Sequence, residues 1–596
     1  MPGTTVVQGQ TASTEVIKRA LDNVCFRDEY EVTTHVETDA ALLASTSYPE
    51  YPVKTVETMD AVFVLEGYLY DVDDEWEQIR SIGPELLDKR FSEIREWLIN
   101  RDGDFLLTAY EKETGAVSVV SDIFARLPVY YTTIGDEIVL SRELKFIRDL
   151  AASCNEPLES DVLAFAQTLL FGYQLGDQTL FESVHRVPPG AYVHIDGNVQ
   201  VERLHTHDFG TTAHADRSVR ENARSLAYRF KDACENRDVD GLPNVLSLSG
   251  GLDSRAAAGG YTGADISYTA ATFKKSNGGN NADVRFAKRI SEALGVDWER
   301  YTVERTETHQ DELLAMKQGQ NFLAMAFICD FLEQLRSRHD AFTYVTGDGG
   351  DKALPDLTPS RTFNSERELA EYIVDVHSIF NRTEAASLTN VTSERLIQTV
   401  EERLDSYPES DHDAQYVHFL IRERGINWLS HGEDRNRYYC WSVSPFYAPQ
   451  FFTYAMNVPA HQKYQNRLYA AFLAELDPAL CEIKDANFNA SITSLQHKVK
   501  QFGINLITRY PAVKNTISSV LKNGGNEDLS AVIKREFQQA DELPFDKTAV
   551  TKVIRNHEQY DGHEMYNLIT LLRTINYDTD LVPQSRPKSV VPDGNS

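Results

Sequence analysis

Apolar and polar positions follow two rhythms along this chain. In the first third the apolar runs are short and separated by turn residues, at 61–70, 103–110, 117–120, 129–132 and 138–141. Runs of that length rich in Val, Ile, Leu, Phe and Tyr predict strands, and a few helical stretches between them predict a sheet sandwich with covering helices. The rhythm then changes. The run 245–248 breaks into Ser249-Gly250-Gly251, and an Ala-rich helical stretch follows at once. A strand is predicted at 267–273 and a helix over 281–294, where Val284, Ala287, Ile290 and Leu294 recur at three- and four-residue steps as one buried face. A further strand, 342–346, ends in Gly347-Asp348-Gly349-Gly350-Asp351. Strands alternating with helices predict a parallel sheet, with both Gly-rich acidic loops at the C-terminal ends of its strands, where ligands bind.

The first of those loops has the chemistry of a phosphate site. Gly250 and Gly251 let the backbone approach a ligand, and the helix that opens there turns its free N–H groups and positive dipole end toward the same point. Asp253 stands where a carboxylate holds Mg²⁺ on phosphates, and Ser249 and Ser254 add hydroxyl donors. No Gly-Lys-Ser/Thr follows, so this is not a Walker loop. The string Ser-Gly-Gly-Leu-Asp-Ser, 249–254, resembles the pyrophosphate loop of the N-type ATP pyrophosphatases, which split ATP into AMP and pyrophosphate.

At 596 residues the chain is long enough for two or three domains. It contains no run of about 18 apolar residues, and its first residues do not read as a signal peptide. The six cysteines stand singly, with no Cys-x-x-Cys pair, which predicts free thiols in a reducing cytoplasm. His205-Thr206-His207 falls in a polar connector and reads as a surface loop rather than a metal grip. A formal net charge of −31 argues against nucleic acid as a ligand. The acidic residues are spread along the chain rather than gathered in a tail, and such self-repulsion is relieved where salt shortens the Debye length to about 3 Å at 1 M. This composition predicts a halophilic protein.

Taken in order, five segments resemble the asparagine synthetase family: Gly103-Asp104-Phe105, the stretch 121–131 (Ser-Asp-Ile-Phe-Ala-Arg-Leu-Pro-Val-Tyr-Tyr), the Thr-Leu-Phe to Pro-Pro-Gly stretch 179–190, the loop 249–254, and Gly-Asp-Gly-Gly-Asp at 347–351. The resemblance implies an α+β Ntn-hydrolase-like sandwich, of the class II glutamine amidotransferase kind, over 1–205. A linker at 206–217 and an α/β PP-loop ATP pyrophosphatase domain with extra helices over 218–578 would follow, and 579–596 reads as a disordered tail. The departures fall in the glutaminase half. Pro2 stands where the family has a nucleophilic cysteine, and Cys25 has no free amine beside it to replace that nucleophile. Glu66-Gly67 replaces the oxyanion-hole Asn-Gly, no arginine occurs at 45–47, and Ser121 replaces an arginine. This half is expected not to hydrolyse glutamine.

In the second half the resemblance assigns Ser249, Gly250, Gly251, Asp253 and Ser254 to ATP pyrophosphate, Asp253 and Asp351 to Mg²⁺, and Thr346 and Gly347 to the nucleotide through their backbone. Asp348 stands where the family has a glutamate in acid–base work. The family's charge-stabilising lysine falls on Lys463 or Arg467, both left open, and Lys352 and Ala448 depart from its pattern. Glu433-Asp434-Arg435 resembles its Asp-Arg segment, and the aromatic stretch around Tyr438, Tyr439 and Trp441 is expected to be packed helical core. The implied function is an AMP-forming amide ligase using ATP and Mg²⁺ in the cytoplasm. It would activate a small-molecule carboxylate, first aspartate, for attack by ammonia or an amine. A separate glutaminase partner and a homodimer are compatible with this, and neither nucleic acid nor membrane is called for. The alternatives are a β-lactam-synthetase-like amidation enzyme and a non-catalytic nucleotide-binding regulator. A tRNA-thiolating pyrophosphatase has the charge against it. The acidic composition makes its own prediction: a melting temperature that rises between dilute and molar KCl, and one that falls instead overturns the halophilic reading.

Overall fold

The computed structural model describes residues 2–9, 12–508, 529–539 and 544–577. The expected tail at 579–596 lies outside them. The first two sheets are built from β1 (Gly3–Gln8), β2 (Glu31–Glu37), β3 (Ala41–Ser47), β4 (Val53–Glu57), β5 (Ala61–Leu69), β6 (Gly103–Glu111), β7 (Val117–Ser121), β8 (Tyr130–Ile134), β9 (Glu137–Ser141), β10 (His185–Arg186), β11 (Ala191–Ile195) and β12 (Val199–Arg203). They run β10-β8-β9-β1-β3-β2 and β12-β11-β7-β6-β5-β4, six strands each, with antiparallel neighbours. Val6, Leu43 and Leu140 of one sheet share a core with Leu65, Leu107 and Val119 of the other.

The third sheet joins β13 (Asn244–Ser247), β14 (Tyr268–Lys275), β15 (Trp298–Val303), β16 (Thr343–Val345) and β17 (Trp441–Val443) in the order β15-β14-β13-β16-β17. Every pairing in it is parallel. β13 and β16 lie side by side, so the loops that leave them emerge together at the sheet's C-terminal edge. The helix Asn281–Leu294 has the predicted bounds, but its buried face is Phe286, Ala287, Ile290 and Ser291 while Val284 and Leu294 are only half-buried.

Two expectations are corrected. The aromatic stretch is buried but is not all helix: Trp441–Val443 is the edge strand β17, in register with Thr343–Val345. Three residues are too few to show a period of two, so only the pairing reveals the strand. His205-Thr206-His207 is a loop with Thr206 exposed, but its two imidazoles are half-buried rather than at the surface. The His207 ring stacks on Phe124 with centroids 5.1 Å apart, His205 lies beside it, and both line a cavity with Phe209, Tyr407 and His418. Burial lowers the His207 pKa to about 3, which keeps that ring neutral.

A buried ionic network ties the first two sheets to the helices around the third. Arg142 donates from Nε to Glu66 at 2.9 Å and from Nη2 to Asp434 at 2.6 Å, and Asp434 also pairs with Lys317. Arg437 binds Asp104 at 2.7 Å, Arg237 binds Asp102, and Arg126 pairs with Glu433. Glu423, on the π-helix Leu420–Leu429, accepts from Arg403, Tyr407 and the Gly176 N–H. Burial alone would raise its pKa, but Arg403 and Arg422 outweigh that and hold it at about 2. Removing one partner of such a pair strands a buried charge. Asp434→Ala is therefore expected to cost about 3–5 kcal/mol in denaturant unfolding. Because the Glu423 pKa is depressed from 4.5, its contribution is full above that value and lost as pH falls toward 2. A Glu423→Gln variant should show less of this acid destabilisation in melts across that window.

Candidate functional site

The turn after β13 is closed by its own side chains. Ser249 and Ser254 hydroxyls lie 2.9 Å apart, the Ser249 N–H donates to Ser254 Oγ at 3.0 Å, and the Gly251 N–H donates to Ser249 Oγ at 3.2 Å. The helix Leu252–Gly263 starts with no side-chain cap, which leaves its positive end open toward the loop. The Gly250 carbonyl accepts from the Ala486 N–H, and fully buried Arg255 donates to the carbonyls of Leu480, Ile483 and Lys484. One guanidinium so pins the 480–486 turn beneath the loop.

The second loop is pressed against the first. A Cβ on Gly347 would lie 2.5 Å from the Ser254 N, and one on Gly350 would lie 2.6 Å from Asp253 Oδ1. Only glycine permits both approaches. Three carboxylates, those of Asp253, Asp348 and Asp351, gather there. Burial, then the charge of Asp351, pushes Asp253 up to about 7, with Asp348 adding to it. Burial also raises Asp348, opposed by Arg126 and Arg435. Hard oxygen donors with accumulated negative charge fit a divalent cation such as Mg²⁺. In this structure the Lys352 ammonium pairs with Asp351, a protein cation set against one of these carboxylates.

The sequence-derived residues are therefore partly brought together. Ser249, Gly250, Gly251, Asp253, Ser254, Gly347, Asp348 and Asp351 share one edge. Thr346 reaches the same place, but its N–H is engaged with the Val443 carbonyl at 2.9 Å and is not free for a nucleotide. Lys463 is buried, its Nζ 3.2 Å from the Ala353 carbonyl, and burial lowers its pKa to about 8 against the opposing pull of Asp356. Arg467 is exposed at the start of the helix Arg467–Leu476.

Three contributors are given no role at this site by the sequence. Tyr469, on that same helix, donates its hydroxyl to Asp253 Oδ1 at 2.5 Å. Its position on an apolar helix face reads only as core. Arg255 is hidden in an Ala-rich helix. Arg126 comes from the far end of the chain, with its guanidinium 3.9 Å over the Tyr447 ring, which itself packs against Gly349.

In the first unit, Glu66 is fully buried and wired on all sides. It accepts from the Thr4 N–H at 2.8 Å, from Tyr51 Oη at 2.5 Å and from Arg142 Nε at 2.9 Å. A carboxylate held this way presents acceptors, not donors, beside the start of β1.

Residues 85–206 match the glutamine amidotransferase domain family. The glutamine-hydrolysing asparagine synthetase 1 of Bacillus subtilis is 25% identical over 191 residues, 32% of this chain and 28% of that protein. Amidase chyE of Penicillium rubens is 23% identical over 163 residues, 26% of this chain and 23% of that protein. The chain thus matches only about a quarter of the length of either curated relative. Among solved structures, glutamine phosphoribosylpyrophosphate amidotransferase from B. subtilis aligns with 69% of this chain and 94% of its own at 9% identity and a TM-score of 0.25. NMN synthetase from Francisella tularensis aligns with 37% and 97% at 16% identity and a TM-score of 0.18.

The close approach of the two loops makes a specific prediction. Gly347→Ala should weaken MgATP binding, measured by calorimetry, at least tenfold while leaving the far-ultraviolet circular dichroism unchanged. Unaltered affinity overturns the assignment of this edge as the nucleotide site.

Proposed function

We propose that this protein is an ATP-dependent amide ligase of the asparagine synthetase kind whose glutamine amidotransferase unit does not hydrolyse glutamine. The observation that carries the ligase reading is the convergence of the loops 249–254 and 347–351, at distances only glycine tolerates, on one edge of a parallel sheet. In this reading a substrate carboxylate attacks the α-phosphate of ATP and pyrophosphate leaves. An amine then attacks the acyl-adenylate and AMP leaves. Asp253 and Asp351 would hold Mg²⁺, which neutralises charge on the departing pyrophosphate when bound. The open N-terminus of Leu252–Gly263 faces the same phosphates, and Tyr469 fixes the Asp253 carboxylate. Asp348 would serve proton transfer, and Lys463 or Arg467 would be the cation for developing charge, burial of Lys463 with its pKa lowered to about 8 favouring the first. Aspartate is the first-choice carboxylate, and a β-lactam-synthetase-like amidation is the neighbouring alternative.

Glu66 supports the second half of the reading. Its carboxylate would repel the oxyanion of a glutaminase intermediate, and Pro2 offers neither thiol nor primary amine. Nitrogen would then come from ammonia, an amine or a separate glutaminase in a salty cytoplasm. The Lys352–Asp351 pair favours one rival, a nucleotide-binding regulator in which a protein cation permanently replaces the metal.

The test is pyrophosphate release from MgATP in molar KCl, with aspartate and either ammonium or glutamine. Release and asparagine formation with ammonium alone is the expected result, with Asp253→Asn lowering turnover by a factor of at least about 10³. Equal turnover with glutamine overturns the reading of Glu66 and Pro2. Bound ATP with no release in either series favours the regulator.

A further inference from the structure

A small cavity lies where the first antiparallel sheet meets the helices around the parallel one. Tyr130 of β8 and Arg186 of β10 line it together with Gln320, Asn427, Trp428 and His431. Four of these side chains are more than nine-tenths buried and still carry a polar atom with no hydrogen-bond partner among the described residues: Tyr130 Oη, Arg186 Nε, Gln320 Nε2 and His431 Nδ1. Arg186 also lacks a counter-ion. Its Nη1 donates to the Asn427 carbonyl at 2.7 Å and its Nη2 to Ser430 Oγ at 3.1 Å, both neutral. Among the described residues no carboxylate forms an ion pair with it. The acidic groups whose charge it feels are already paired: Asp177 with Arg203 and Arg422, Asp434 with Arg142 and Lys317, and Glu423 with Arg403.

Charge and donor type decide what suits this cavity. A guanidinium stays charged at any ordinary pH, so one buried without a counter-ion is costly until an anion joins it. The guanidinium and amide nitrogens only donate, and the Tyr130 phenol can turn its hydrogen the same way. Burial, and then the charges of Lys317 and Arg186, keep the His431 imidazole neutral, so one of its nitrogens carries an N–H as well. The fitting occupant accepts from all of them and donates to none, whereas a water brings two hydrogens that need acceptors of their own. The cavity has room for the centre of one water-sized group, about 10 Å³. That excludes phosphate, sulfate and the carboxylate of an amino acid, and leaves a monatomic anion.

We propose that this cavity is a halide site, in which a chloride ion accepts hydrogen bonds from Arg186, Tyr130, Gln320 and His431 and serves as the counter-ion of Arg186. None of its lining residues belongs to the loops 249–254 or 347–351, and the inference stands apart from the ligase reading. Arg186 already bridges β10 to Asn427 of the π-helix and to Ser430, so the chloride completes the join between the antiparallel sheet and those helices. Chloride then stabilises the folded chain by specific binding, apart from any general effect of ionic strength.

The experiment exchanges potassium acetate for potassium chloride at constant ionic strength and follows thermal unfolding of the full chain. Acetate is too large for the cavity and serves as the blank. Wild type should melt at least about 2 °C higher in chloride than in acetate. Tyr130→Phe removes only a hydroxyl without a protein partner. It should melt as wild type does in acetate and need about tenfold more chloride for the same rise. Arg186→Met should lose the rise altogether. Crystals grown in potassium bromide should show bromide anomalous scattering beside Arg186 Nε. A melting temperature independent of chloride, a rise that Tyr130→Phe leaves unchanged, or a cavity without bromide overturns the proposal. If Arg186→Met fails to fold, Tyr130→Phe and the bromide signal still decide it. None of these readouts uses turnover, so each outcome is independent of whether the chain is a ligase.

Discussion

Arg142 is shared between two carboxylates that belong to different ends of the chain, Glu66 at 2.9 Å and Asp434 at 2.6 Å, with no exposed surface on any of the three. A buried charge is tolerable only while its partners are in place. If the antiparallel sheets were pulled away from the third sheet, Arg142 would lose Asp434, Asp434 would keep only Lys317, and Asp104 and Asp102 would lose Arg437 and Arg237. Arg437, Arg237 and Asp102 would each lose the ion-pair partner they have here. The two regions are thus held together by the cost of separating them more than by the worth of each pair, and net stability from such pairs is modest while their integrity lasts.

That constraint reaches the candidate site. Glu433, Asp434 and Arg435 share one turn of helix, so fixing the first two against Arg126, Arg142 and Lys317 also fixes where the third points. Arg126 pairs with Glu433 and covers the Tyr447 ring, and Tyr447 in turn supports Gly349 of the acidic loop. Residues of the antiparallel sheets serve here as walls and counter-ions for the other half. Glu66 anchors the N-terminal strand through the Thr4 N–H and completes the Arg142 bridge.

Much of this was legible in the residues, and what was not has a common cause. Strand runs such as β5 and β6, the helix Asn281–Leu294 and both Gly-rich loops announce themselves locally, through period or through turn chemistry. The proximity of the loops followed from the alternation of strands and helices. Tyr469 and Arg126, by contrast, act 216 and 222 residues away from the groups they serve: Tyr469 on Asp253, and Arg126 near Asp348. Nothing in a helix face marks one phenol as the partner of a distant carboxylate. β17 is three residues long and exists only because β16 pairs with it, and His207 is half-buried because its ring stacks on Phe124 and Phe209. Tertiary contacts decided each of these, and local pattern carries no trace of them.

The distribution of charge follows the same logic. Arg126, Arg142, Arg237, Arg255 and Arg437 are among the largest fully buried side chains. Four of them neutralise buried carboxylates, and Arg255 is spent on backbone carbonyls. Buried pairs cancel, so the net charge of −31 is carried almost wholly by the surface. Salt screens exposed charges within a Debye length and leaves buried pairs nearly untouched. Rising salt should therefore relieve the repulsion outside without loosening the bridges inside, and both effects act in the direction of a tighter fold.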